Sequence, residues 1–197
     1  MTIVAIAIVV GVIVVAGFVW LMYNRLVGLR LNVDNSWAQI DVALKRRHDL
    51  IPNLVEAVRG YASHERETLE RVTEARGDAV ADQRAGAGPE RQGRAEGVLG
   101  ARLGRLLVTA EAYPDLKASR NFTELADDLG EAEDQIQITR RVYNDTVQTY
   151  NTQVQVFPAV LVAKGFGFAP REFFQIREAE AEAPAVTIPA GPAGGET

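Results

Sequence analysis

Two histidines and three serines are the side chains from which acid–base or nucleophilic chemistry would have to be built in this 197-residue chain, which has no cysteine. His64 is followed by Glu65, as at the start of a zinc-protease helix, where a second histidine four residues on puts two imidazoles on one face. Here that position is Thr68, so one ligand is missing and chance occurrence accounts for the pair. To activate a hydroxyl, His48 or His64 would have to meet Ser36, Ser63 or Ser119. Ser36, beside Trp37, lacks the flanking glycines of a nucleophile elbow. Without cysteine there is no disulfide framework, thiolate metal site or thiol nucleophile. Gly165-Phe166-Gly167 lacks the third glycine and the strand–turn–helix setting of a phosphate loop. These patterns predict no enzyme, no metal site and no cofactor.

Other groups are suited to contact. Lys45-Arg46-Arg47 is a cationic run able to grip an acidic partner. The competing reading is three cations complementing the dipole of a helix that ends nearby. Tyr143-Asn144 and Tyr150-Asn151 repeat at a spacing of seven, which puts both pairs on one helix face. The plain reading is a half-buried seam whose hydroxyls find partners, the alternative a ligand platform. Val160 to Phe174 is apolar and glycine-broken, with Phe166, Phe168, Phe173 and Phe174 among Lys164 and Arg171.

The elements that must position these groups are helical. Ile3 to Met22 carries no charge, and about twenty residues at ~1.5 Å each match the ~30 Å hydrocarbon thickness of a bilayer. Trp20 and Tyr23 follow where amphipathic rings favour headgroups. A basic leader and a small-residue cleavage site are missing, so residues 1–23 are expected to be an anchor and not a cleaved signal peptide. Arg25 and Arg30 behind the span place the rest of the chain in the cytoplasm by the positive-inside rule. Leu26, Val33 and Ile40, with Trp37 and Leu44, step by seven along a helix expected to run from the membrane to Pro52, with Asp49 capping the next. If that helix is straight, Lys45 lies about 35 Å beyond the membrane, out of reach of its own lipid.

A second helix carries Val55, Val58, Ala62, Leu69 and Val72 and fades near Gly77. Residues 77–97, with five glycines and Pro89, read as a flexible connection. A third helix holds Leu99, Leu103, Leu106, Leu107 and Ala110 and stops before Pro114. Asn121 and Glu124 suggest a capping box opening a long fourth helix, whose stripe is Phe122, Leu125, Leu129, Ala132, Ile136, Tyr143, Tyr150 and Phe157. Residues 177–197, rich in Ala, Glu, Pro and Gly, are expected to be a disordered tail. The fold class is therefore all-α: a transmembrane helix continuing into an antiparallel bundle of long helices over residues 24–176. A net charge of −5 argues against nucleic acid as a partner.

With the elements placed, the runs KRRHDLIPNLV (45–55), RGYASHE (59–65), YPDLKASRNF (113–122) and RRVYNDTVQTYN (140–151) are similar to the bacterial LemA family, as are Tyr23-Asn24, Trp37 and the closing 158–174 run. The resemblance covers the chain from the anchor to about Phe174, apart from the glycine-rich connection. It implies an N-terminal anchor in a bacterial inner membrane and a bundle of long antiparallel helices, with no generally agreed enzyme activity.

The expected function is a single-pass, self-associating scaffold on the cytoplasmic face, a coiled-coil-like oligomer. The alternatives are a regulatory accessory to a membrane protein, or an unrecognised enzyme. Partners are the lipid bilayer, further copies of the chain and a membrane protein. Trp20, Tyr23, Phe166, Phe168, Phe173, Phe174, Lys164 and Arg171 are expected at the membrane interface or against a neighbour, the competing reading being that these phenylalanines cap the bundle's own core. Lys45, Arg46 and Arg47 are candidates for a protein contact.

Overall fold

A computed structural model of the chain describes residues 1–62 and 64–176, which are helical with no strand among them. The helices are α1 (Thr2–Tyr61), α2 (Arg66–Arg84), α3 (Pro89–Glu111), α4 (Pro114–Lys117), α5 (Arg120–Gln155) and α6 (Ala159–Gly165). The expected tail, residues 177–197, lies outside the described residues.

α1 is a single helix of 60 residues, about 90 Å long. Residues 3–16 are apolar and stand clear of the bundle, and α1 is long and apolar enough there to cross a membrane. Its remaining length is the spine on which α5 lies antiparallel and against which the α2–α3 hairpin and α6 pack. The expected break at Pro52, with Asp49 as a new cap, does not occur. Proline lacks the N–H that would bond the His48 carbonyl one turn back. Here the Arg76 side chain of α2 replaces that donor, Nε donating to the His48 oxygen at 2.6 Å. A side chain distant in sequence thus satisfies the group that would otherwise end the helix.

Residues 77–97 are likewise not a flexible connection. α2 continues through them to Arg84, burying Ala75 and Ala79, and α3 begins at Pro89. Only residues 85–88 turn. Gly86, at φ +64°, closes α2 with two backbone bonds, Ala87 N–H to Asp82 O at 3.0 Å and Gly86 N–H to Gln83 O at 3.1 Å. That is a left-handed helix stop of the kind glycine favours. Pro89 then opens α3, where its missing N–H costs nothing. Of the five glycines only Gly86 and Gly88 lie in this one tight turn; Gly77, Gly93 and Gly97 are inside helices. α5 also begins differently from expectation: its cap is Ser119, and Glu124 pairs with Arg120 at 2.7 Å instead of closing a capping box.

The interior is two apolar clusters end to end. Far from the anchor, Ile51 to Ala62 of α1 pack with Leu69 and Val72 of α2, Leu99 and Leu106 of α3, Leu116 of α4, and Phe122 and Leu129 of α5. Nearer the anchor, Leu26, Val33, Ile40 and Leu44 meet Ile136, Tyr143, Val147, Tyr150 and Val154 of α5 together with Val162 and Phe174. The heptad positions read from the sequence are thus buried. Trp37 is half-buried at the edge, and Phe157, placed on the buried stripe, is 79% exposed.

Arg76→Ala should cost about 1–3 kcal/mol by orphaning the His48 carbonyl. In a chain already carrying Pro52→Ala the same change should cost markedly less, because alanine at that position restores the backbone N–H. Urea unfolding of the four proteins of this cycle measures the coupling; additive effects would mean that Arg76 does not act through that carbonyl.

Candidate functional site

Between the two apolar clusters lies a layer of buried polar side chains. Arg47 and His48 enter it from α1, Gln92 and Glu96 from α3, and Glu133 from α5. Arg47 and Glu96 are almost wholly buried and form an ion pair. Arg47 Nη1 also donates to Glu133 at 2.7 Å, and Glu133 reaches the surface. His48 Nε2 donates to the second Glu96 oxygen at 3.0 Å, and Gln92 Nε2 donates to that same oxygen at 2.6 Å and to the Ala79 carbonyl of α2 at 3.2 Å. Burial alone would raise the Glu96 carboxyl. The His48 hydrogen bond, the charges of Arg47 and His48 and the Gln92 amide outweigh it and hold Glu96 below its ordinary value of 4.5. Arg47 Nε and Gln92 Oε1 are buried without a hydrogen-bond partner.

This layer absorbs one member of the cationic run, and the other two pair at the surface. Arg47, expected at the surface, faces inward. Lys45 pairs with Asp49 one turn on, and Arg46 reaches Glu131 of α5 at 3.0 Å. α1 continues to Tyr61, so these cations do not stand at the end of their own helix and the dipole reading also fails. Sequence reasoning missed Glu96 and Gln92, having put residues 77–97 in a loop. The available signal was Gln92 and Glu96 at a spacing of four, aligned with Leu99, Leu103 and Leu106.

His48 lines a surface groove of about 420 Å³ with Asp41, Lys45, Asp49 and Arg76. A carboxylate-backed imidazole has the form of a general base, but the Ser36 hydroxyl is not its partner: it is buried and donates to the Val33 carbonyl of its own helix at 2.9 Å. Among the described residues no group of three or more acidic or histidine side chains has the geometry of a metal site. The arrangement joins helices.

The second polar assembly is a clasp. After α6 the chain runs extended along α5 as a strap, residues 166–176. The Asn151 amide donates to the Arg171 carbonyl and accepts from the Arg171 N–H, both at 2.8 Å. Asn144 does the same for Phe174, at 3.0 and 2.9 Å. The Tyr150 and Tyr143 hydroxyls donate to the carbonyls of Ala169 and Glu172 at 3.0 and 2.9 Å. Seven helical residues rise about 10.5 Å and three extended residues about 10 Å, so the heptad repeat of Tyr-Asn meets every third strap residue in register. Burial pushes the Tyr143 phenol up to about 12, against a smaller opposing effect of Arg171, so it remains a donor at physiological pH. Gly93 of α3 lets the strap pass, since a Cβ there would overlap the Gln175 carbonyl.

The clasp distributes the remaining candidates. Phe174 is wholly buried and meets the Trp37 ring edge-on at 5.5 Å. Phe168 and Phe173 are half-buried, and Arg171 pairs with Asp34 at 2.9 Å. Phe166 and Lys164 are exposed, and Phe166 packs on Tyr23 at 5.0 Å. Trp20 stands exposed on the anchor. The aromatic run therefore divides, its later members turned into the bundle and Phe166 left outside.

These features define a membrane-associated helical-bundle protein whose buried polar side chains tie its helices together. The family model described as LemA family matches residues 36–188. The chain belongs to the LemA family. It is 28% identical to Protein LemA of Metamycoplasma hominis, over 80% of this chain and 70% of the relative. It is 25% identical to Magnetosome protein MamQ 2 of Paramagnetospirillum magneticum and 24% to Magnetosome protein MamQ of Magnetospirillum gryphiswaldense, each over 80% of this chain and 66% of the relative. The chain thus spans roughly two thirds of these relatives' length.

Glu96→Gln should cost about 3–5 kcal/mol by leaving Arg47 buried with only Glu133. Because Glu96 is held below its ordinary value when folded, its contribution is complete above pH 4.5 and lost as the pH falls through the folded value. Wild-type stability should therefore decline more steeply on acidification than that of Glu96→Gln, as thermal unfolding against pH measures.

Asn144→Ala and Asn151→Ala, each orphaning a strap N–H and C=O, should speed proteolysis within residues 166–176 while leaving the helical signal intact. Gly93→Ala should do the same. Equal protection of all three variants and wild type would show that the strap is held otherwise.

Proposed function

We propose that this protein is a self-associating, membrane-anchored scaffold with its bundle on the cytoplasmic face of a bacterial inner membrane. The observation that carries this reading is an unpartnered stripe on α1. Leu31, Asn35, Ala38 and Val42 follow one another at steps of four, three and four and are all exposed, Leu31 at 55% and Val42 at 71%. At 100° per residue they lie opposite Leu26, Val33, Ile40 and Leu44, the face that α5 covers. The same row runs back into the anchor through Gly28, Asn24, Trp20 and Gly17. Two copies held in one membrane leave it parallel and at equal height, which is the register a heptad seam needs. Because α1 is unbroken, such pairing would pass from the bilayer into the bundle without a hinge.

Arg25 and Arg30 behind the span favour the cytoplasmic side. Three relatives are named magnetosome proteins, after a cell structure and not a reaction, which supports a structural role. The absence of cysteine permits a direct test. Leu31→Cys and Val42→Cys should each crosslink to a second copy in native membranes, and Ile138→Cys should not. An impermeant thiol reagent should reach Val42→Cys only after the inner membrane is opened. In detergent, Leu31→Asp combined with Val42→Asp should reduce the particle to one 21.5 kDa chain. A monomeric wild type without crosslinks would favour the accessory role, and labelling of Val42→Cys in sealed cells would reverse the orientation.

A further inference from the structure

The anchor is not the only part of the chain at membrane height. Gln153 of α5 donates through Nε2 to the Met22 sulfur at 3.6 Å, which sets the end of α5 level with the end of the apolar segment. Val19 and Met22, both inside the uncharged span, pack on the cluster that holds Val154 and Val162. α5 runs antiparallel to α1, so its last residue, Gln155, lies about 3 Å closer to the bilayer centre than Gln153, and the turn out of the helix passes through the residue two further on. That residue is Phe157, 79% exposed, the most exposed large hydrophobic residue described outside the anchor. Leu161 of α6 is 64% exposed and Phe166 57%, the latter packed on Tyr23 at the membrane exit. From Thr146 to Pro170 the only charged side chain is Lys164, a cation, in a chain of which 24% is charged.

We propose that the α5–α6 turn is a second membrane-attachment site, with Phe157, Leu161 and Phe166 inserted in the headgroup and upper acyl region of the leaflet from which α1 emerges. Phe157 and Leu161 expose apolar surface on the turn whose Val162 packs in the same cluster as Val19 and Met22 of the apolar segment, so lipid covers them once α1 is inserted. An acidic group at that depth would be costly, and none is present. Lys164 has a stem long enough to extend its ammonium to anionic headgroups while the rings stay below it. Phe168, Phe173, Phe174 and Arg171 take no part, since the clasp holds them to the bundle. The turn makes the bundle a two-point attachment, which fixes its tilt on the membrane. This reading is independent of self-association.

The test uses the full chain in vesicles of phosphatidylethanolamine and phosphatidylglycerol. Phe157→Cys, Leu161→Cys and, as the water-exposed reference, Val108→Cys each carry one nitroxide label, with circular dichroism confirming helicity. Collision with dissolved oxygen and with a water-soluble nickel chelate is read by electron paramagnetic resonance. The expected result is an oxygen-to-nickel ratio several-fold higher at 157 and 161 than at 108. A ratio equal to that at 108 would place the turn in water and overturn the proposal. Low collision with both reagents, together with spin–spin broadening, would place a second copy on the turn and overturn it as well. Leu161→Cys alone decides the matter if Phe157→Cys misfolds, because its label starts from an exposed position on the same turn.

Discussion

The Arg47–Glu96 ion pair is the interaction on which the arrangement of this bundle depends. A guanidinium and a carboxylate removed from water lose several kcal/mol of hydration each, and only close pairing with further hydrogen bonds offsets the loss. The pair meets that demand by recruiting every long helix: His48 from α1, Gln92 from α3, Glu133 from α5, and the Ala79 carbonyl from α2. Apolar surfaces slide past one another at modest cost, whereas a buried charge tolerates very few registers. The layer sits where the two apolar clusters meet and sets the height of the α2–α3 hairpin along α1. Buried ion pairs of this kind often add little net stability over an apolar layer of the same volume, whereas removing one partner alone is costly.

The continuity of α1 follows from the same neighbourhood. Pro52 removes one backbone donor a turn beyond the layer, and Arg76, one turn of α2 from the buried Ala79, restores it to His48, whose ring is already committed to Glu96. One residue is thereby held at its carbonyl and at its imidazole. The outcome is a spine without a hinge, which joins the apolar segment directly to the far end of the bundle. A break at Pro52 would instead leave the distal cluster free to swing.

The bundle is polar along its length in what it meets. At one end aromatic and aliphatic side chains surround the root of the apolar segment, and at the other the surface of α1 and α2 carries ion pairs such as Arg59–Glu56 and Arg71–Glu67. Between them the strap ties the tip back onto α5 by backbone pairing with two asparagines. This mode of attachment is specific to the spacing of the clasp and nearly indifferent to strap side chains, Phe174 excepted.

Local pattern alone determined the charge-free segment, the all-α class, the heptad face of α1 and the stripe of α5 as far as Tyr150, because charge-free length and 3.6-residue periodicity are properties of neighbouring residues. The Tyr-Asn repeat was visible as a shared helix face with hydroxyls in search of partners, though not the extended chain it grips. What only the tertiary structure decided are the places where a distant residue overrules a local signal. Pro52 reads as a stop until Arg76 supplies the missing donor. The glycines of 77–97 read as a loop until Gly86 is found to close one helix and Gly93 to make room for the strap. Arg47 reads as surface until Glu96, forty-nine residues away, gives it a buried counter-charge. In each case the local preference is worth a few kcal/mol at most, and a single buried partner from another helix is enough to reverse it.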